Sequence, residues 1–209
     1  MNKLKTLALA ICLSFVASVA SAEMRMGVSI HAMMFESSGS ETLRQSSNVT
    51  NHTEEETAIV PSFFIEAVSD AGLGIGLDYV PVAELGEGTG DDDDAETSGA
   101  NKASAELASH STIYVIAQNE NGVFLKAGMA FADVDTTENL STGDSYGNAS
   151  TEGLMAGIGI SRDLDNGTFA RAELSYVDYD DVSITSTGGS VVKASVDTVN
   201  VTFSIGKPF

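Results

Sequence analysis

The sequence predicts an all-β protein: an eight-stranded antiparallel up-and-down transmembrane β-barrel with short periplasmic turns and long extracellular loops. Two observations carry this prediction. Segments of about ten residues with an apolar side chain at every second position recur along the chain, as barrel strands require. Long polar stretches and very short turns alternate between these segments, so all the long stretches fall at one end of the barrel.

The start of the chain differs from the rest. A stretch with two lysines precedes an apolar run over 7–19, and small residues follow at 20–22. This order is typical of a secretory signal peptide, and the run is shorter than the ~20 residues that a membrane-spanning helix needs. We predict a signal peptide over 1–22 and an outer-membrane β-barrel domain over 23–209. Cys12 lies in the signal peptide, so no disulfide is expected in the mature chain.

The charge of the chain excludes one class of partner. The 10 basic and 30 acidic residues become 8 and 30 when the two signal-peptide lysines are removed, which gives a formal net charge of −22. An acidic surface repels nucleic acid and attracts cations or basic partners. A general acidic coat explains the same composition without any specific cation site.

The first four predicted strands follow the signal peptide. The segment "MRMGVSIHAMMF" gives a strand near 24–36, and a polar stretch leads to "AIVPSFFIEAV", a strand near 57–68. The short turn "SDAG" joins it to the third strand, near 73–85. A glycine- and aspartate-rich stretch then precedes the fourth strand, near 105–118.

The last four predicted strands repeat this arrangement. The turn "NENG" leads into a strand near 123–135, and a polar stretch separates it from a strand near 153–163. The turn "DLDNG" leads into the seventh strand, near 168–180. The final strand, near 195–206, is expected to pair with the first and close the barrel.

The final strand also predicts which face meets lipid. Val201, Phe203 and Ile205 alternate with small or polar residues, and no later segment is available to cover them. We therefore expect this parity to face lipid, with Phe209 at the periplasmic interface, where aromatic side chains are favoured. Pro61 lies within the second strand on the lipid-facing parity and predicts a β-bulge there.

Several segments resemble a known family. "FARAELSYVDYDDVSI" looks like the seventh strand of the OmpA-like and opacity-type outer-membrane barrels, and "GLGIGLDYVPV" and "GVFLKAGMAF" are similar to their third and fifth strands. The carboxyl terminus resembles the signal read by the barrel assembly machinery, with Phe203, Ile205 and Phe209 as its residues, although Lys207 falls where that signal usually has an apolar residue.

The resemblance implies a location and partners. It implies the cell outer membrane of a Gram-negative bacterium, reached through the inner membrane by the signal peptide. It also implies contact with outer-membrane lipid, with lipopolysaccharide and with the barrel assembly machinery.

Charged residues on the inward parity define a predicted lumen charge network. About eight strands leave an interior that side chains just fill, so we expect paired charges and a closed lumen. The alternative is a gate that opens a small conductance when the pairing changes. The network comprises Glu66, Asp78, Glu106, Lys126, Arg171 and Glu173.

One acidic loop is a candidate cation-binding site. Four consecutive aspartates, Asp91, Asp92, Asp93 and Asp94, form a possible weak cation-binding loop. Adjacent carboxylates repel one another into an extended chain, whereas a tight calcium site needs ligands spaced to wrap one ion. We therefore expect weak attraction only, no metal centre and no cofactor.

Catalytic residues were sought among the inward-facing side chains. His31 and His110 share that parity, which admits a metal site or a dyad with Ser111. Ser111, however, has the opposite parity to His110 and should point away from it. No nucleophile, base and orienting group assemble, so the chain is not predicted to be an enzyme.

Two main functions remain open. The first is a structural and surface-interaction role, in which the barrel displays acidic extracellular loops while its lumen is largely closed. The second is a small porin or channel for ions or small solutes. A third possibility, a secreted lipocalin-type barrel, would need the bulky apolar parity to face inward, and its polar coat would carry almost no charge.

Overall fold

The computed structural model describes residues 22–42, 49–92 and 99–209. Almost all of the predicted signal peptide, 1–22, lies outside the described residues and stays a prediction. Within the described ranges, no helix has the length and apolarity that crossing a membrane requires.

The described residues form ten β-strands that belong to one sheet. Their lengths range from four residues to 20. In chain order they are β1 Glu23–Thr42, β2 Val49–Val68, β3 Leu73–Val80, β4 Ala83–Asp92, β5 Gly99–Gln118, β6 Val123–Asn139, β7 Ala149–Asp163, β8 Phe169–Tyr179, β9 Val182–Thr185 and β10 Val191–Pro208.

The ten strands occupy eight positions around a closed ring. β3 and β4 both pair with β5, and β8 and β9 both pair with β10, so each pair of short strands fills one position. β1 pairs with β10 from Arg25 to Thr42, which closes the ring. The predicted eight-stranded antiparallel up-and-down barrel, closed first to last, is confirmed.

Three tight turns lie at one end of the barrel, which we call the turn end. Gly72, Gly122 and Gly167 occupy these turns with φ of 77°, 80° and 75°, a region that suits glycine. In the middle turn the Asn119 side-chain oxygen accepts hydrogen bonds from the backbone N–H groups of Asn121 and Val123. The turns thereby fix the register of the strands that they join.

The strands at the opposite end, the long-strand end, run further than the apolar alternation predicted. β1, β2 and β5 each contain 20 residues, about twice the 9–11 that cross a bilayer. Polar residues continue these strands because backbone pairing needs no apolar side chain. Residues that were predicted to form long loops therefore form paired strands instead. For example, β1 and β2 stay paired as far as Thr42 and Val49.

Large apolar side chains cover the outside of the barrel next to the turn end. Phe203 is 63% exposed, and Ile205, Leu125, Leu174 and Tyr176 are also exposed, whereas Val201, predicted to face lipid, is half-buried. Met129 is an exception, since it is only 1% exposed, and its cross-strand neighbours are Ile113 and Leu154. We call this surface the apolar belt; its exposed members include Met26, Val28, Ile30, Met34, Ile59, Phe63, Ile65, Leu77, Leu125, Ile158, Leu174, Phe203 and Ile205.

The wall is interrupted beside Pro61. Pro61 lies directly opposite Ile30 without a register shift, so the predicted bulge is wrong. On its other edge, β2 pairs with β3 only from Phe63 onward. Among the described residues no ladder joins the segment 49–62 of β2 to β4 at 83–92. We call this interruption the seam, and Pro61 fits there because it lacks an N–H to donate.

Candidate functional site in the barrel lumen

A buried ion pair crosses the lumen near the turn end. The Arg171 guanidinium donates two hydrogen bonds to Glu66, from Nη1 to Oε1 at 2.5 Å and from Nη2 to Oε2 at 2.7 Å. Glu66 is 1% and Arg171 5% exposed. The Tyr114 hydroxyl donates a third bond to the same carboxylate, 2.7 Å long. Such bidentate pairs are among the stronger polar contacts in proteins because both partners are charged and geometrically matched.

Aromatic rings surround the guanidinium on several sides. Its central carbon lies 4.6 Å from the centre of the Phe169 ring, 5.4 Å from Phe124 and 5.6 Å from Phe64. Rings at these distances attract a cation. The ring of Phe64 also packs against that of Phe169, with centres 6.1 Å apart.

A second ion pair lies beside the first. Lys126 Nζ is 2.7 Å from Glu173 Oε2, and the same nitrogen lies 4.3 Å from the centre of the Tyr114 ring. Tyr114 therefore touches both ion pairs, through its hydroxyl and through its ring face. We call these five residues the lumen charge cluster: Glu66, Tyr114, Lys126, Arg171 and Glu173.

Glycine makes room for the cluster in the barrel wall. A Cβ atom on Gly76 would lie 2.5 Å from Tyr114 Cζ and 2.6 Å from its hydroxyl oxygen. A Cβ on Gly157 would lie 3.0 Å from Glu173 Oε1. Gly76 and Gly157 thus allow large side chains to cross a narrow interior.

A polar layer lies above the charge cluster, toward the long-strand end. His31 Nδ1 is 2.8 Å from Thr202 Oγ1, and its Nε2 is 2.7 Å from Ser62 Oγ. The Ser62 hydroxyl donates to Asp78 Oδ2 at 2.9 Å, and His31 Nε2 lies 3.5 Å from Asp78 Oδ1. Asp78 is therefore held by an imidazole and a hydroxyl rather than by lysine or arginine.

This layer contains Ser, His and Asp, but not the arrangement of a catalytic triad. In a triad the imidazole stands between serine and carboxylate, using one nitrogen for each. Here one nitrogen of His31 faces both Ser62 and Asp78, and the other faces Thr202. Ser62 is also fully buried, so its oxygen has no access to a substrate from solution.

A small cavity separates the polar and charged side chains. Its volume is ≈ 40 Å³, enough for a few water molecules. Its wall includes His31, Asp78, Lys126, Arg171 and Glu173.

An apolar layer lies next to the polar layer in the lumen. Met33, Val60 and Val80 each lie two residues beyond a polar-layer residue on the same strand, and all three are buried. Leu107, Met155 and Val177 belong to the same buried cluster. From the turn end upward the lumen is thus charged, then polar, then apolar, and the apolar layer borders the seam through Val60.

The structure moves one predicted network member out of the lumen. Glu106 is exposed, whereas its neighbour Leu107 is buried in the apolar layer. The β5–β6 ladder shifts register between Leu107 and Ser109. The extra residue moves the side chains of β5 that precede the shift to the opposite face of the sheet. The prediction for Glu106 was wrong because alternation was counted through this bulge.

The two lumen histidines have separate partners. His110 is buried, and its Nε2 lies 2.9 Å from the Tyr179 hydroxyl, while His31 belongs to the polar layer. Among the residues that the structure describes, no group of three His, Cys, Asp or Glu side chains could hold a metal ion.

Two other sets of predicted site residues are the four aspartates of the acidic loop and the terminal residues. Asp91 and Asp92 end β4, and Asp93 and Asp94 lie outside the described residues, so cation binding there stays a prediction. Phe203, Ile205 and Phe209 are exposed at the turn end, and the Phe209 N–H donates to the Met24 carbonyl at 2.8 Å. Their role as an assembly signal also stays a prediction.

Two polar contacts stabilise the long-strand end, beyond the apolar belt. The Tyr146 hydroxyl donates to Glu41 Oε1 at 2.7 Å, and burial together with this carboxylate raises the pKa of Tyr146 well above its ordinary value. The carboxylate of Asp133 accepts hydrogen bonds from Ser150 at 2.6 Å and from Ser109 at 3.0 Å. These bonds lower the pKa of Asp133.

The closed ring of strands and the apolar belt together define the fold of the outer-membrane β-barrel proteins. Outer membrane protein OprG from Pseudomonas aeruginosa is similar in structure: TM-score 0.62, 12% identity, 90% of this chain and 96% of that chain covered. Outer membrane protein AlkL, solved in DMPC lipid bilayers, is similar with a TM-score of 0.51 and 10% identity over 90% of each chain. At such identities the likeness shows the fold.

Comparison by sequence adds no closer assignment. No protein-family model matches the chain. No curated protein matches it either.

Proposed function

We propose that this chain is an outer-membrane protein of a Gram-negative bacterium with a structural and surface-interaction role and a lumen closed to ions. In the proposed orientation in the membrane, the turn end faces the periplasm and the long-strand end lies outside the cell. The observation that carries the proposal is the Glu66–Arg171 pair, which crosses the lumen inside a group of three phenylalanine rings. The resemblance to the OmpA-like and opacity-type barrels agrees with this proposal.

The energetics of the pair favour closure. Removing one partner of a buried ion pair costs about 3–5 kcal/mol because the other charge stays buried and unpaired. Opening the lumen would require the two charges of the pair to separate. Each charge would then be buried without a partner unless water entered the lumen at the same time. Tyr114 and Lys126 couple the second pair to the first, so local separation of either pair disturbs both.

The exterior suits a membrane with an anionic outer leaflet. The apolar belt supplies the lipid-facing surface. Directly above it four carboxylates lie opposite one another in neighbouring ladders: Glu55, Glu36, Asp197 and Asp178. We call this set the acidic row. Divalent ions that bridge lipopolysaccharide phosphates would also bridge the row to them, which makes lipopolysaccharide a natural neighbour.

The test measures ion flow and folding on the same preparation. The purified barrel is inserted into planar bilayers, and folding is monitored by heat-modifiable mobility in gels. We expect a folded barrel that shows no stepwise current above that of the bilayer alone. Regular single-channel steps from the unmodified protein would contradict the closed-lumen proposal.

A second candidate function, passage of small solutes, is favoured by the seam. The apolar layer of the lumen borders the seam, and Ile59 and Val82 beside it are 75% and 60% exposed on the outside. A small apolar molecule entering from the long-strand end could therefore leave sideways into the bilayer without crossing the charge cluster. The test adds a small apolar molecule to vesicles that contain the barrel and measures its uptake into the vesicle membrane. Uptake that depends on the barrel, without ionic current, would favour solute passage over the structural role.

A further inference from the structure

The seam leaves two strand edges without a ladder partner among the described residues. β2 from 49 to 62 pairs only with β1, and β4, Ala83–Asp92, pairs only with β5. Backbone N–H and C=O groups along such edges need partners, and a further strand supplies them in a regular pattern. Each of these edges therefore offers hydrogen-bonding capacity to an additional extended segment.

Both banks of the seam are acidic. On one bank Glu55 lies directly opposite Glu36 in the ladder, and both side chains are exposed. On the other bank Glu106 lies opposite both Glu84 and Asp135, and all three are exposed. The two edge segments contain no lysine or arginine, and their acidic residues are Glu54, Glu55, Glu56, Glu84, Glu87, Asp91 and Asp92.

The charge of the banks selects the occupant. A second copy of this chain would bring the same acidic edges together, and opposed like charges destabilise a strand pair. Lipid cannot satisfy backbone groups at all. A segment with alternating basic side chains would satisfy the backbone through a ladder and neutralise the carboxylates on both sides.

We infer that the seam is a docking site for an extended basic peptide segment of another protein, bound by β-strand addition. The inference rests on the proposed surface-interaction role and names its class of partner. The acidic banks extend from the edge of the apolar belt toward the long-strand end, so the segment reaches them from outside the cell. Residues 58–62 lie at the lower end of the seam, where apolar side chains take over.

The experiment compares peptides that differ only in their ability to form a ladder. The folded barrel is placed in neutral phosphatidylcholine vesicles, and a fluorescent decapeptide of alternating lysine and valine is titrated while its anisotropy is measured. A second peptide has the same sequence with N-methyl groups on alternate backbone nitrogens. We expect the N-methylated peptide to bind about tenfold more weakly, because it keeps its charge but loses ladder hydrogen bonds.

Matched variants locate the site. Glu55→Lys with Glu84→Lys changes both banks, whereas Asp178→Lys with Asp197→Lys makes the same change in charge on β8 and β10, in strands that do not border the seam. The first double variant should weaken binding of the lysine–valine peptide by about tenfold, and the second by about twofold or less. If both double variants weakened peptide binding equally, the binding would reflect only non-specific attraction between the basic peptide and the acidic barrel. That result would overturn the inference.

Failure of the inference is distinguishable from failure of the proposed function. Heat-modifiable mobility and planar-bilayer current are recorded on the same samples. An unfolded or conducting barrel contradicts the proposed function. A folded, non-conducting barrel that binds neither peptide, or binds both equally, overturns the docking site alone.

Discussion

Arg171 on β8 donates two hydrogen bonds to Glu66 on β2, although 105 residues separate them in the sequence. The pair connects two opposite parts of the barrel wall, because β2 and β8 are separated by β1 and β10 on one side and by four strand positions on the other. Its stability therefore depends on the closed ring as a whole.

Replacement of Arg171 by alanine tests whether this pair is structural or a gate. Arg171→Ala leaves the Glu66 charge buried, so the free energy of unfolding should fall by about 3–5 kcal/mol with little new current. Heat-modifiable mobility and planar-bilayer recording measure the two effects. Glu66→Gln combined with Arg171→Met should recover part of the loss. A folded Arg171→Ala barrel with clearly raised conductance would favour a channel.

The lipid-facing parity predicts a difference along β10. Phe203→Arg places a charge in the apolar belt and should cost about 2–4 kcal/mol of folding into bilayers. Asp197→Arg is the control, since it lies on the same strand and parity but in the acidic row. Urea-dependent folding into vesicles gives both values. Equal costs for the two variants would count against the assigned belt.

The close approach of Gly76 to Tyr114 predicts that even a methyl group is harmful. Gly76→Ala should lower stability by about 1–3 kcal/mol, because the added carbon forces the tyrosine away from Glu66. Gly147→Ala is the matched control, because an added Cβ there has no atom within 4 Å. Unfolding of both variants in denaturant measures the effect, and similar stabilities would contradict the packing described.

The bond from Tyr146 to Glu41 predicts a loss of stability at high pH. The pKa of Tyr146 is raised above its ordinary 10.0, so the protonated hydroxyl stabilises the fold below pH 10. This contribution falls as pH rises above 10, where the unfolded tyrosine ionises first. The wild type should exceed Tyr146→Phe in stability at pH 8, with the difference shrinking above pH 10. A constant difference across this range would refute the assignment.

The acidic row predicts that removing one charge stabilises the barrel. Asp197 lies opposite both Glu36 and Asp178, and opposed like charges cost about 0.2–1 kcal/mol per pair. Asp197→Asn should therefore raise the free energy of unfolding at low salt, and added salt should reduce the gain. Glu120→Gln, in a turn, is the control and should change little. No gain for Asp197→Asn would show that the row is already compensated.

The alternation of apolar and polar residues along the sequence was sufficient to predict the barrel and to assign most side chains to its inner or outer face. Side chains on a strand alternate between the two sides, so one outward residue fixes its neighbours as long as no bulge intervenes. Phe203 and Ile205 outside, with Glu66 and Arg171 inside, follow from this rule. The acidic composition and the eight positions of the ring also follow from the sequence alone.

Partner choice and local irregularity were decided by tertiary structure. Alternation places Glu66, Lys126, Arg171 and Glu173 inside but does not say which carboxylate meets which cation, because that depends on strand stagger around the closed ring. The bulge that moves Glu106 outside is a one-residue shift without a sequence mark. The seam likewise arises only when the positions of all eight ring members are fixed, since an unpaired edge is defined by the neighbour that it lacks.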